Sequence, residues 1–487
     1  MFSIEFPKAH YLMSKKILQN LLFIFSTFTV DHVNADESVK SIEQKKRELL
    51  AIESRLDKKM QAIEAKLKEI DIREAREKSI PIATVMTPAV KKELPENLPE
   101  TTAEKEKKPL NLPASLSYGA KGFEFKTNDN KFALAIQNRL QLRYANPFDY
   151  DPRSLANLEQ DQSSFMVRRA RTKLTGYLYW SWLKYYLQYD WSQPVLRDMN
   201  LDITQFSQMS LRLGRAKVIY NDERVTSSGN QQFVNRSIVN DIFTVDRQQG
   251  AQLYGRLFPK DWYDFSYALG VFSGQGVGER NNDDDKMMYS ARLQWNFLGD
   301  ELSFSQSDIE FHEKPAASFA IAAVTNTSRC TAFETDNNSC RVLPGFKLGA
   351  PGQYEVNQAM EELRFKWRGF SFQHELHFKN IDDRLIAANL KSKTDLMGGY
   401  VQAGYFPHDL IPLVPKQLEF AMRYAAVDPN RDIDNNMQQE LTGAMNWFFS
   451  GHSNKLSFEV SHLTVEDPTK NIKKDEERAR VQWDISF

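Results

Sequence analysis

The chain has 487 residues, with 63 Lys and Arg against 64 Asp and Glu and a formal net charge of -1. That balance argues against a generally basic nucleic-acid binder, so any preference for charged partners must come from local placement of charge. Hydrophobic residues make up 41% and the mean hydropathy is -0.54. These values exclude a helical membrane protein but not a transmembrane barrel, whose strands face water on alternate residues.

In chain order, residues 1–35 read as a secretory signal. Lys15 and Lys16 form the positive region, 17–30 the apolar core, and Val33, Asn34 and Ala35 the processing site. Residues 1–12 read as an extended leader or an upstream start, and the mature chain is expected to begin near Asp36. Residues 36–79 lack helix breakers, and Ile42, Leu49, Leu56, Ile63 and Ile70 recur at heptad spacing. The expectation is a periplasmic coiled coil whose seam is interrupted by Lys46 and Glu53. Residues 80–121 contain Pro81, Pro88, Pro95, Pro99, Pro109 and Pro113 among Lys, Glu and Thr, and read as an extended linker.

From residue 122 to 487 the texture changes to alternating segments separated by turns and longer polar loops. The predicted strands are 131–144, 164–179, 183–191, 197–206, 209–219, 248–258, 263–272, 288–297, 316–325, 358–367, 370–379, 395–405, 417–426, 437–449, 455–465 and 477–487. The fold class is all-β: a transmembrane antiparallel barrel of about 16 strands in the outer membrane of a Gram-negative cell. The last strand alternates Ala479, Val481, Trp483, Ile485 and Phe487 with Arg480, Gln482, Asp484 and Ser486. An alternating strand ending on Phe487 resembles the signal read by the barrel-assembly machinery. Trp180, Trp182, Trp262, Tyr263, Trp295, Phe297, Trp447, Phe448 and Phe449 fall at strand ends, as girdles against lipid and lipopolysaccharide would.

The most informative stretch is 164–179, SFMVRRARTKLTGYLY, where Arg169, Arg171 and Lys173 share one face. Parity on the other strands adds Arg139, Arg143, Arg212, Arg256, Arg292, Arg364 and Lys366 as pore-lining or anion-binding candidates, with Lys379, Arg423, Arg478 and Arg480 behind them. Glu362, Glu375, Glu419 and Asp484 are the inward acids in this reading. An excess of lumen cations inside a low-dielectric wall concentrates anions. Arg168, on the opposite parity, is expected at the lipid headgroup layer or rim, and Arg215 and Lys217 stay unassigned beside Gly214. The loop 220–247 reads as a constriction folded into the barrel, with Asp222, Glu223, Arg224 and Arg236 setting its field. Cys330 and Cys340, the only cysteines, are expected to form a local disulfide closing a surface loop.

RRARTKLTGYLY, LKYYLQYDWS, LRLGRAKVIYNDERVTSSGNQQFVNRS and QQGAQLYGRLF together resemble the phosphate-selective porin O and P family. The resemblance covers roughly 123–487 and implies a trimeric sixteen-stranded barrel passing small anions, with an arginine ladder and a lysine cluster at the constriction. Arg169 and Arg171 are the ladder positions it points to. The span 221–246 contains no lysine, however, so a phosphate trap of that kind is missing from the loop.

The expected function is therefore passive diffusion of small anions, phosphate-type oxyanions included, through a homotrimeric porin without enzymatic activity, cofactor, metal or nucleic-acid partner. The alternative is a structural tether that reaches peptidoglycan through the coiled coil. The run 281–285, NNDDD, reads as a solvated loop, and His452 and Ser453 as part of a turn rather than a hydrolase site.

Overall fold

The computed structural model describes residues 114–119, 121–276, 281–333, 341–386 and 390–487. The expected signal, the coiled coil and most of the linker, residues 1–113, lie outside the described residues. The described chain opens with a hairpin, β1 (Ala114–Gly119) and β2 (Gly122–Thr127). β1 therefore falls inside the stretch that reads as linker.

The barrel follows as β3 (Phe132–Asn146), β4 (Ser164–Leu178), β5 (Trp180–Asp190), β6 (Val195–Phe206), β7 (Met209–Lys217), β8 (Arg247–Leu257), β9 (Phe265–Phe272) and β10 (Met288–Leu298). It continues through β11 (Ala316–Ser328), β12 (Tyr354–Trp367), β13 (Phe370–Asp383), β14 (Lys393–Tyr405), β15 (Leu418–Asp428), β16 (Gln438–Ser450), β17 (Asn454–Asp467) and β18 (Ile472–Ser486). Each strand pairs antiparallel with the next, and β18 closes on β3 from Ala479↔Asn146 to Ser486↔Arg139. The result is a closed barrel of sixteen strands, β3 to β18. Beyond the point where β18 ends, β2 takes its place beside β3, from Phe123↔Ile136 to Lys126↔Ala133. Phe487 is fixed at this seam by backbone bonds to Asn138 of 2.6 and 2.9 Å.

The period-two sequence pattern is the cause of this architecture. On β12, Asn357, Ala359, Leu363 and Phe365 face outward while Gln358, Met360, Glu362, Arg364 and Lys366 are buried inside. Lipid offers no hydrogen bonds, so the backbone groups of the strands pair across the ladder, and only closure removes the two edges. Trp180, Trp262, Trp295, Trp367 and Phe449 stand exposed at the end that carries the short turns, here the turn end. Phe448 is a correction to the girdle reading: it points inward, 5% exposed, with its ring near Phe406 and His452.

The interior is not an empty cylinder. Residues between β7 and β8 enter the lumen with two short helices, Asp222–Val225 and Ile238–Phe243. At the loop end of the barrel their apolar side chains, including Val239, Ile242, Phe243 and Val245, pack with inner-wall residues Val324, Val356, Ile381, Leu396, Val427 and Val465. The segment after β11 joins this plug. Phe333 bridges Val245, and Cys330, Ala332, Phe333 and Leu343 are buried. That corrects the surface-loop reading: apolar residues around Cys330 give the segment a buried place to go. Cys330 is disulfide-bonded, and Cys340 lies outside the described residues.

Candidate functional site: a basic passage beside an inward loop

The inward loop is bound to one side of the lumen. Its backbone N–H groups donate to a row of wall carboxylates: Asp222 to Glu362 at 2.8 Å, Glu223 to Glu375 at 2.8 Å, Val234 to Glu459 at 2.8 Å and Ile238 to Glu440 at 3.0 Å. The Gln232 side chain at the loop tip donates to Glu419 at 2.8 Å and to Ser371 at 2.7 Å. Wall cations bind the loop carbonyls in turn: Arg292 to Tyr220 at 2.7 Å, Arg143 to Val234 at 2.8 Å, Arg423 to Asn235 at 3.1 Å and Lys379 to Ile242 at 2.8 Å. Burying polar backbone is costly unless each group finds a partner, and the inward acids and bases of β12, β13 and β15 to β18 supply those partners.

This arrangement divides the predicted pore-lining residues. Arg292 bonds Asp222 at 3.0 Å and Glu362 at 2.8 Å, Arg364 pairs with Asp222, and Lys366 donates to the Ser307 carbonyl at 2.9 Å. Arg139 bonds Asp484 at 2.9 Å and Ser228 Oγ at 3.1 Å, and Arg143 bonds Asp149 at 2.7 Å. All five point inward but hold loops against the wall and do not line the open passage. Arg256 lies near the turn end, bonded to Asp264 at 2.9 Å. Arg169, Arg171, Lys173 and Arg212 do line it. In the loop, Arg224 and Arg236 face the passage, whereas Asp222 turns to Arg292 on the wall and the Glu223 carboxylate turns back to Ser237 within the loop.

The passage runs along β3 to β8, the side that the loop leaves open. Toward the turn end it is a space of about 440 Å³ lined by Gln137, Lys173, Lys184, Tyr186 and Asp202 among others. At mid-height it narrows to about 280 Å³ between Arg171, Lys173, Asp198, Asp202, Arg212 and Lys217. Toward the loop end it shrinks to about 80 Å³, lined by Arg168, Arg169, Arg171, Gln193, Arg197, Lys217, Arg224, Ser228, Arg236 and Arg247. The three spaces share residues, with Lys173, Tyr186 and Asp202 common to the first two and Arg171, Lys217, Ser228 and Arg247 common to the last two.

Eight cations and no carboxylate line the narrow section among the described residues. Carboxylates stand behind some of them. Asp190 meets Arg171 at 2.7 Å and Arg197 at 3.7 Å, Asp198 meets Arg247 at 2.9 Å, and Asp246 meets Arg224 at 2.9 Å and Arg247 at 3.4 Å. Asp149 lies 3.5 Å from Arg168. Burial alone would raise the Asp149 carboxyl, but Arg143, Arg480 and Arg168 hold it well below the usual carboxylate range. Among the described residues, the groups that Arg169, Lys217 and Arg236 hydrogen-bond are neutral. Arg169 donates to Gln141 at 2.8 Å, Lys217 to the carbonyls of Arg224 at 2.8 Å and Val225 at 3.0 Å, and Arg236 to the carbonyls of Glu223 at 2.7 Å and Thr226 at 2.9 Å.

Two of the lining arginines occupy β-bulges. The β3–β4 register steps from Gln141↔Arg169 to Leu142↔Val167, which leaves Arg168 as the extra residue. The β5–β6 register steps from Gln188↔Asp198 to Tyr189↔Leu196, which leaves Arg197 extra. A bulge re-aims a side chain and shifts the phase of the strand. Arg168 therefore reaches the lumen instead of the lipid rim, while Phe165 and Val167 are exposed on the outer wall. Lys217 and Arg247, paired in register at the loop end of β7 and β8, also join the passage. Sequence parity leaves Arg168, Arg197, Lys217 and Arg247 out. Charged doublets such as Arg168–Arg169 and Arg197–Asp198 are the signal that could have found the first two, because alternation would send one member into lipid.

A model of the phosphate-selective porin O and P family matches residues 139–485. No curated protein relative matches the sequence. Among solved structures, the chain is similar to the outer membrane protein OmpT of Vibrio cholerae, with 9% identity over 73% of this chain and 98% of that one and a TM-score of 0.47. It is similar to an anion-selective porin from Comamonas acidovorans, with 11% identity, 73% and 100% coverage and a TM-score of 0.47. It is also similar to the outer membrane channel DcaP of Acinetobacter baumannii, with 10% identity, 74% and 99% coverage and a TM-score of 0.46.

Proposed function

This chain belongs to the phosphate-selective porin O and P family, and we propose that it works as an outer-membrane channel through which small anions diffuse along β3 to β8, selected in the narrow section by Arg169, Lys217 and Arg236. The observation that carries this reading is the lining of the 80 Å³ section, where every charged residue is a cation. A small anion there exchanges part of its hydration shell for guanidinium donors, since Arg presents paired N–H groups that match carboxylate and phosphate oxygens, while the Lys217 ammonium, bonded to three loop carbonyls, contributes its charge. A cation entering the same section finds no lining carboxylate and is repelled.

No step in this mechanism consumes energy; flux follows the gradient. The paired arginines, Arg171 with Asp190 and Arg212 with Asp202, give the wider section a fixed polar wall with little net charge. Net positive potential is concentrated where the passage is narrowest. Reversal potentials of the purified protein in planar bilayers under a KCl gradient test the proposal, with chloride expected to be more permeant than potassium. A preference for potassium, or no conductance from folded protein, overturns it.

A further inference from the structure

Three residues lie in one row across the seam where the barrel closes. Asp484 of β18 is the register partner of Gln141 on β3, and Gln141 is the register partner of Arg169 on β4. All three point inward, with Gln141 and Asp484 buried and Arg169 8% exposed at the narrow section. The Gln141 amide bridges the other two. Its Nε2 donates to the Asp484 carboxylate and to the Ser228 carbonyl at 3.3 Å, and its Oε1 accepts from Arg169 Nη1 at 2.8 Å. Turned over, the amide would set its oxygen against two acceptors and its nitrogen against a guanidinium, so a single orientation satisfies the site.

Asp484 is itself held, by Arg139 at 2.9 and 3.1 Å. The relay therefore starts from a fixed carboxylate on the last strand and ends on a cation of the passage. Arg169 gives one N–H group to it, and among the described residues its Nε and Nη2 form no hydrogen bond. Other lining arginines are placed by carboxylates in contact with them, Arg171 by Asp190 at 2.7 Å and Arg247 by Asp198 at 2.9 Å. Gln141 gives Arg169 the same kind of hold without the opposing charge. With strands about 4.8 Å apart, Asp484 lies two strands and about 10 Å from Arg169, comparable to the Debye length in 0.1 M salt. A carboxylate one strand closer would touch the guanidinium.

We propose that Gln141 is the positioning residue on which the selectivity of Arg169 depends: its neutral amide fixes the guanidinium at the lining of the passage and keeps Asp484 one residue away. The proposal rests on the channel reading above and assigns part of its selectivity to a side chain that carries no charge and stands behind the lining of the narrow section. Gln141→Glu places a carboxylate against Arg169 and cancels its charge where the ion passes. Gln141→Met keeps the size of the side chain but removes its donor and acceptor, so Asp484 loses a partner, Arg169 loses its anchor, and the guanidinium is free to turn toward the carboxylate.

The test reads reversal potentials of the folded full chain in planar bilayers under a KCl gradient, with barrel integrity checked by the mobility shift between heated and unheated gel samples. Gln141→Glu is expected to lower the chloride-to-potassium permeability ratio roughly fourfold or more, as removal of one positive charge about 5 Å from the ion would. Gln141→Met is expected to move the ratio in the same direction while the barrel stays folded, a change that packing alone does not produce because Met fills a similar space. Arg169→Gln supplies the reference background. Because Gln141 acts through Arg169, adding Gln141→Met to Arg169→Gln is expected to change the ratio by less than about twofold. An effect as large as in the wild-type background means that Gln141 acts through something else and overturns the proposal. A wild type that prefers potassium overturns the channel reading and the relay with it. A chloride-preferring wild type whose ratio is unchanged in either folded Gln141 variant overturns the relay alone.

Discussion

Removing Arg169 and Lys217 together is the most direct perturbation of the narrow section. Their partners are the Gln141 side chain and backbone carbonyls, so Arg169→Gln with Lys217→Gln leaves no bare carboxylate behind and withdraws two positive charges. An anion about 5 Å from one such charge gains about 0.8 kcal/mol at the dielectric constant of bulk water and about 3 kcal/mol at an effective value near 20. The lower figure alone corresponds to roughly a fourfold change in partition for each charge, and the confined section lies between the two limits. The double variant is therefore expected to lower the chloride-to-potassium permeability ratio at least about tenfold in 0.1 M salt, and less at 1 M, where the Debye length falls to about 3 Å. The assay is the reversal potential in planar bilayers. Arg364→Gln is the control, because Arg364 is also an inward arginine but pairs with Asp222 away from the passage, and its ratio is expected to stay within about twofold of the wild type. A double variant with unchanged selectivity, or an Arg364 variant that loses as much, refutes the assignment of selectivity to the narrow section.

Two further expectations concern what holds the passage in shape. Glu375 accepts from the Glu223 backbone N–H at 2.8 Å and from the Asn221 side chain at 2.9 Å, so Glu375→Ala strands two buried donors at about 1 to 3 kcal/mol each. The expected outcome is larger, noisier single-channel currents as the loop leaves the wall. Asp149→Asn removes a carboxylate whose proton affinity is depressed by Arg143, Arg480 and Arg168 against the opposing effect of burial. Its stabilisation is complete above the unfolded value of about 4 and is lost as pH falls through the lower folded value. Thermal unfolding followed on gels should therefore separate variant and wild type at pH 7, and the gap should close in acid below the folded value.

The barrel was legible because lipid and water impose alternation residue by residue. Strands such as β12 and β16 carry that pattern without interruption, and each predicted strand from 131–144 to 477–487 falls on one of the sixteen observed. Most differences are at strand ends, where β11 runs on to Ser328 and β18 begins at Ile472, because polar residues above the membrane still pair in the ladder but no longer need to alternate. The bulges were not legible from parity. One extra residue changes no composition, yet it turns Arg168 and Arg197 into the lumen.

The distribution of work among the inward cations depends on something a strand-by-strand reading does not contain, namely what lies opposite each one. Glu362, Glu375, Glu419, Glu440, Glu459 and Asp484 are scattered over the last third of the sequence, but closure sets them around one side of the lumen. That side offers acceptors for the N–H groups of an inward loop, and β3 to β8 offer few, so the loop settles against the acids. Once it is there, Arg143, Arg292 and Arg423 are occupied by its carbonyls. Counting inward arginines therefore overstates the field that an ion meets. The cations that remain to act on an ion are those whose partners are neutral and whose wall the loop does not cover. Arg169 meets both conditions on the β4 stretch where the basic face first stood out, whereas Lys217 and Arg236 are tied to loop carbonyls and act on an ion through their charge at the lining of the passage.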